Sequence, residues 1–274
     1  HNPAGNIVTS RYVGTSAYDQ SYFVQVDRYD SIYIIGQSKG SFPVTTGKYN
    51  NAGSHQFIQK FNNQLSIMEF STVLGKAGTS TDISPSAFLV SDCGLIYMSG
   101  WGGTVNSSGG TTTGLPVSPG AFQTTTNGSD FYLMVLKKNA TALHYATFFG
   151  EQHYGTGKCG NDHVDGGTSR FDKKGIVYQA VCSGCGGNQD FPTVPSDSIG
   201  TWTNNSPNCN LGVVKYAFSP PSVIADFNIP PTDCVPINLQ FLNTSQTAFD
   251  DTTQAEFIWI VNDDTINSYH LDYN

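Results

Sequence analysis

An all-β chain of repeated, small antiparallel sheets is predicted by three observations. The first is a four-part phrase that occurs three times in the same order. It opens on Tyr12-Val13-Gly14, Val73-Leu74-Gly75 and Phe148-Phe149-Gly150. A turn and apolar strand follow at Asp30–Gly36, Asp92–Gly100 and Asp172–Ala180. Next comes an apolar-Pro phrase at Phe42-Pro43-Val44-Thr45, Leu115-Pro116-Val117-Ser118 and Phe191-Pro192-Thr193-Val194. Each copy closes on an apolar strand carrying or ending in lysine: Gln56–Phe61, Phe131–Lys137 and Leu211–Tyr216. The second observation is that each copy holds about four runs rich in Phe, Tyr, Val and Ile, separated by Gly, Ser, Thr and Asn clusters. The third is that no dozen residues carry apolar groups at helical spacing without an intervening Gly or Pro.

Four short strands per unit, repeated with a period of roughly 60 to 75 residues, is the pattern of β-propeller blades. Three blades are recognisable, at about residues 8–70, 71–146 and 147–218, and residues 7–26 read as the tail of an earlier blade running into the first copy. A β-sandwich with accidental self-similarity is the competing reading; the preserved order of the phrases favours blades. Known propellers have roughly four to eight blades, so the ring is incomplete. An open arc exposes apolar faces and sheet edges. The chain is therefore expected to be part of something larger, or to be covered by a partner.

Only 12% of the residues are charged, 12% are aromatic, and the formal net charge is −8. This is a β-rich, export-type composition rather than a disordered one. The acidic balance excludes a basic nucleic-acid footprint, and no apolar run approaches the roughly 18 residues of a membrane span.

Four of the six cysteines, Cys159, Cys182, Cys185 and Cys209, crowd into the third copy. Export favours two disulfides stapling its glycine-rich insertions. The Cys182-Ser183-Gly184-Cys185 half-site also leaves zinc open, with His153 or His163 as further ligands, and free thiols remain a third reading.

The repeat phrase stops at Phe218, and Ser219-Pro220-Pro221-Ser222 begins a linker spanning 219–224. From 225 to 274 the pattern changes. Alternation along Ile237, Leu239 and Phe241 suggests a half-buried strand, and Trp259 centres another. This reads as the start of an Ig-like β-sandwich, with about 50 residues present against ~100 for a full domain.

On these residues, together with Gly120-Ala121-Phe122-Gln123, the three copies resemble the seven-bladed-β-propeller-type repeats of exported bacterial surface proteins. The segment from Ala225 is similar to the start of a PKD-type domain, through Pro236-Ile237-Asn238-Leu239-Gln240-Phe241-Leu242-Asn243-Thr244-Ser245 and the Trp259 strand. Its acidic turn departs from the usual Gly-Asp-Gly, reading Val261-Asn262-Asp263-Asp264. The pairing is typical of large secreted or surface-anchored Bacteroidetes proteins, including gliding-motility-associated cargo of the type IX secretion system. The resemblance implies an exported, cell-surface location. It also implies O-glycosylation signals of the form Asp-Ser/Thr-apolar (or Thr) at Ser31, Ser198, Thr252 and Thr265, although Asp30 and Asp264 serve equally well as turn formers.

No nucleophile elbow, His-Glu-x-x-His or Walker-type loop occurs. The densest polar cluster surrounds Asn161, Asp162 and Asp165, a candidate calcium site in a loop that reads more simply as a polar, disulfide-tied surface loop. Adjacent pairs such as Asp263–Asp264 do not offer the separated acids of a glycosidase. Trp101 and Trp202 open corresponding insertions and are candidates for sugar stacking, or for packing between blades. The expected function is a non-catalytic extracellular scaffold or adhesion module whose partners are other domains or surface proteins. A glycan-binding adhesin and the non-catalytic part of a secreted hydrolase are the alternatives. No cofactor is expected beyond calcium.

Overall fold

The computed structural model describes residues 6–102, 110–152, 162–164, 169–193 and 204–218, and short strand segments between 223 and 268. The chain divides into two compact units, His1–Phe218 and Ser219–Asn274.

The first unit is all-β, with three antiparallel sheets. The first comprises β1 (Asp19–Val26), β2 (Ile32–Ser38), β3 (Gln56–Phe61) and β4 (Met68–Leu74), in that spatial order. The second comprises β5 (Ser84–Val90), β6 (Ile96–Trp101), β7 (Phe131–Leu136) and β8 (Leu143–Phe149), again in chain order. The third comprises β9 (Ser169–Phe171), β10 (Ile176–Ser183) and β11 (Asn210–Ala217), with β10 in the centre. The first strands of the three sheets neighbour one another, β1 beside β5 and β5 beside β9. Among the described residues the only helical element is a 3-10 turn, Lys138–Ala140, and no helix is long and apolar enough to cross a membrane.

The hairpins explain their sequences. Asp27 Oδ1 accepts the N–H groups of Tyr29 and Ser31, each at 2.9 Å. Asp172 Oδ1 does the same for Lys174 and Ile176, at 2.9 and 3.0 Å. Ser91 Oγ stands in their place in the second sheet, accepting from Leu95. Asp27, Ser91 and Asp172 are thus the equivalent turn residues. Asp30, which reads in the sequence as the partner of Asp92 and Asp172, instead shares the left-handed position of Gly94 and Gly175, with φ near 60°. Aspartate tolerates that conformation better than most side chains.

The sheets are also staggered against the sequence phrase. Val73-Leu74 and Phe148-Phe149 end the fourth strands β4 and β8, so the glycine phrase closes a sheet rather than opening one.

Sheets pack face to face. Every residue of β7, Phe-Tyr-Leu-Met-Val-Leu, is buried. Alternation sends Tyr132, Met134 and Leu136 into a cluster with Tyr33, Ile35, Ile58 and Phe70 of the first sheet. Phe131, Leu133 and Val135 join Val177, Val181 and Val214 of the third. An unbroken apolar strand is what burial on both faces requires. A polar tie crosses the second boundary, where Gln179 Nε2 donates to Ser99 Oγ at 2.9 Å and to Ser86 Oγ at 3.3 Å.

The second unit pairs β12 (Val223–Ile224) with β15 (Gln246–Thr247), β13 (Phe227–Asn228) with β14 (Leu242–Asn243), and β16 (Phe257–Val261) with β17 (Asp264–Ser268), all antiparallel. Trp259 lies opposite Ile266.

Leu133 is fully buried in the boundary between the second and third sheets. Leu133→Ala is expected to destabilise the first unit by about 2–5 kcal/mol, read as a lowered midpoint in chemical denaturation. An exposed substitution such as Ile67→Thr serves as the near-neutral comparison.

Candidate functional site

A backbone latch recurs at each glycine phrase. The residue after the glycine donates its N–H to a carboxylate further along: Thr15 to Asp19 at 2.6 Å, Lys76 to Asp82 at 2.9 Å, and Glu151 to Asp162 at 2.7 Å. Glycine is needed because the carboxylate lies against it. A Cβ on Gly14, Gly75 or Gly150 would sit 2.6, 2.3 or 2.5 Å from that Oδ2. Asp162 is therefore the third copy of a structural device.

Three chemically similar latches sit in three electrostatic settings. Burial raises Asp19, but hydrogen bonds from Ser38 and Thr15 outweigh it and leave its pKa lowered. Burial holds Asp82 above the ordinary carboxylate range, against the Lys76 N–H and charge. Burial drives Asp162 well above that range, reinforced by the charges of Glu151, Asp130 and Asp190. Asp130 is pushed up to about 7 by burial, with Glu151 and Asp190 adding to the shift and hydrogen bonds from Thr126 and Asn127 opposing it. Glu151 is raised by burial as well. Asp130, Glu151 and Asp162 are all fully buried. Gly150 is wedged between two of them, since its Cβ position lies 2.5 Å from Asp162 Oδ2 and 2.6 Å from Asp130 Oδ1. Among the described residues no ion pair reaches these three, and no three His, Cys, Asp or Glu side chains meet in metal-binding geometry.

Glu151 links this cluster to a groove beside β11. One carboxylate oxygen accepts the Gly184 N–H and the other accepts Asn188 Nδ2 at 3.1 Å. Gly184 and Asn188 line this groove of about 620 Å³, which runs the length of β11. Phe149 of β8 and Phe122 of the β6–β7 loop line it on one side, and Phe191-Pro192-Thr193 from the loop before β11. Asn204 braces the loop wall, its Nδ2 donating to Gly184 O at 2.6 Å and Asn188 O at 3.1 Å. A disulfide joins Cys185 to Cys209, tying that wall to the start of β11. The groove offers aromatic faces, side-chain amides and strand backbone. Such a surface suits binding an extended segment.

The sequence candidates fall in several places. Cys185 and Cys209 form the disulfide, so Cys185 is not a thiolate available to zinc. Cys182 lies on β10 opposite Leu211, bridged through its backbone to His163. Trp101 ends β6 and is half-buried against the boundary of the second and third sheets, its ring 5.8 Å from that of His163. Ser31 closes the tight turn after β1 and exposes only 6% of its surface. Thr265 lies in β17. Cys159, Asn161, Asp165, Ser198, Trp202 and Thr252 lie outside the described residues. Sequence reading missed Asp130, Glu151, Asp19 and Asp82, and singled out Asp162 only as a candidate calcium ligand. The latch signal was present, but its spacing from the glycine varies between 14–19, 75–82 and 150–162.

Two outcomes are expected. The disulfide spans a sequence separation of 24, so its loss in Cys185→Ser should cost about 3 kcal/mol. Hydrogen exchange should place the added opening around β11. The second concerns pH. The folded state keeps the Asp130 proton up to about pH 7, whereas an unfolded aspartate releases it near 3.8. Its contribution is therefore complete below about pH 4 and is lost as pH rises through 7. Asp130→Asn should flatten the stability profile in that window by up to about 1.4 kcal/mol per pH unit, measured by denaturation at stepped pH.

Comparison with protein-family models returns no match for this chain, and comparison with curated proteins returns none either.

Proposed function

We propose that the three sheets are propeller-type blades in an incomplete ring, followed by an Ig-like unit, and that the protein is a non-catalytic extracellular scaffold or adhesion module. The observation that carries this reading is the stacking of the sheets. Their first strands neighbour one another, and the middle sheet is covered on both faces. Blades arranged radially would produce that pattern. The rigid stack presents loops and a groove at its margin, a common division of labour between scaffold and contact surface. The Cys185–Cys209 disulfide fits an oxidising compartment, and the low charge content fits export. The half-buried setting of Trp101 supports a packing role there rather than a sugar platform.

Surface location is tested by limited proteolysis of intact source cells, followed by immunodetection and a non-reducing peptide map. The expected result is loss of the protein from intact cells and a linked Cys185–Cys209 peptide. A protease-protected protein with both cysteines reduced would overturn the reading.

A further inference from the structure

The buried lysine of the first sheet has no counterpart in the second. Lys60 lies on β3 opposite Tyr33 of β2 and Phe70 of β4, and exposes only 9% of its surface. The same register position on β7 is Val135, opposite Tyr97 and Tyr145. Lys137 and Lys215, which the sequence phrase sets beside it, are exposed. A repeated sheet has no packing need for an ammonium at a valine position, and burying one is costly unless it is paired. Lys60 is paired several times over. Its Nζ lies 2.8 Å from Glu69 Oε2, 3.7 Å from Asp27 Oδ2 and 5.3 Å from the centre of the Tyr33 ring.

A further neighbour comes from the second sheet. Lys60 Nζ donates to Asn139 Oδ1 at 3.5 Å, across a sequence separation of 79. Asn139 sits in the turn between β7 and β8, and that turn is fastened to the first sheet. Ala140 O accepts the Tyr49 N–H at 2.7 Å, and the Ala140 side chain is fully buried in the core shared by the first two sheets. Asn139 and Ala140 are consecutive left-handed residues, with φ of 56° and 54°. Asparagine tolerates that region, whereas alanine occupies it at a cost. Such strain persists only where the surroundings hold it. Here they hold the Asn139 amide against a buried lysine.

We propose that Lys60 and Asn139 are the two halves of an intramolecular isopeptide cross-link that joins the first sheet to the second. Lys60 Nζ first passes a proton to Glu69 Oε2. The neutral amine then attacks Asn139 Cγ, which stands one C=O bond beyond the oxygen it already contacts. A new Nζ–Cγ bond forms as the Cγ–Nδ2 bond breaks. The amide nitrogen leaves as ammonia and takes up the proton lent to Glu69. An ammonium and a primary amide thus become a secondary amide and an ammonium ion, and nothing else is consumed. Holding amine and amide together makes an otherwise slow aminolysis effectively unimolecular. The buried rings of Tyr33 and Phe70 flank Lys60 and limit the water that would compete for the carbonyl. Burial opposes the Lys60 charge, but the Glu69 hydrogen bond and the Tyr33 hydroxyl outweigh it and leave the amine's pKa raised. Proton transfer within the ion pair therefore limits the rate, and alkaline solution speeds the reaction. The inference stands on the packing of the first two sheets and does not depend on the protein's being at the cell surface.

Intact mass of the reduced full chain, followed during incubation at alkaline pH, tests it together with a tryptic map. The expected mass is lower than that of the sequence by one ammonia. A succinimide at Asn127-Gly128 would shed ammonia too, so the map locates the change. It should contain residues 49–76, uncleaved after Lys60, joined to the peptide that begins at Asn139. Lys60→Val copies the residue of the second sheet and Asn139→Gly suits the left-handed position, so both should fold, and both should lack the joined peptide. Glu69→Gln should slow its formation at least tenfold. Complete cleavage after Lys60 with the Asn139 peptide running free overturns the proposal, whether the mass is unchanged or the ammonia loss maps to Asn127. Equal rates in Glu69→Gln and the parent chain overturn the proton route through Glu69.

Discussion

Burial of the middle sheet on both faces is the constraint on which the rest of the first unit depends. A strand whose alternate residues point into two different cores must be apolar throughout, and β7 is. It then needs a cover on each side, which the first and third sheets provide through separate clusters. The same requirement applied to the end sheets is only half met. Each has one covered face and one bearing exposed valines or leucine. Fully burying such a side chain is worth roughly 1.5–3 kcal/mol, so the pressure to cover these faces is substantial. The composition of the strands thus specifies more packing than three sheets supply.

The latch shows how one backbone device serves different chemical settings. Its geometry is constant, a glycine against a carboxylate that accepts the next N–H, and only the neighbours change. Asp19 has hydroxyls to stabilise its charge, and Asp82 has Lys76. Asp162 has other carboxylates, and burial with mutual repulsion favours the protonated form there. Such an arrangement is tolerable because a neutral carboxylic acid still accepts a backbone hydrogen bond. It also couples the stability of this region, through Asp130 and Asp162, to pH.

Much of the all-β architecture was legible because repetition amplifies weak signals. A single run such as Ile32–Ser38 could be a strand or a buried helical turn, but three aligned copies with the same order of turns could not. Register was less legible. Asp30 and Asp172 read as equivalents because both precede an apolar strand, yet the turn equates Asp27 with Asp172 and puts Asp30 at a glycine position. The sequence phrase could not show on which side of the glycine a sheet ends, since an apolar pair before glycine looks the same in either case. The shared latch role of Asp19, Asp82 and Asp162 escaped because the loops between glycine and aspartate differ in length. Asp130 and Glu151 carry no motif at all; Glu151 follows Gly150 in the chain, and only folding brings Asp130 beside that glycine.

Why the groove beside β11 persists as a groove follows from what stands behind it. A strand edge next to a long loop would ordinarily collapse onto that loop or fray. Here the loop is held from within by the Glu151 carboxylate, from the side by Asn204, and covalently by the Cys185–Cys209 bond. Each of these contacts fixes backbone at Gly184–Asn188 or at the start of β11, and so keeps the two walls apart without an occupant. An extended segment entering a groove whose walls are already ordered loses only its own conformational freedom on binding. The internal contacts of the third sheet therefore fix both walls of the groove, much as the tight hairpins after β3 and β7 fix the positions of β4 and β8.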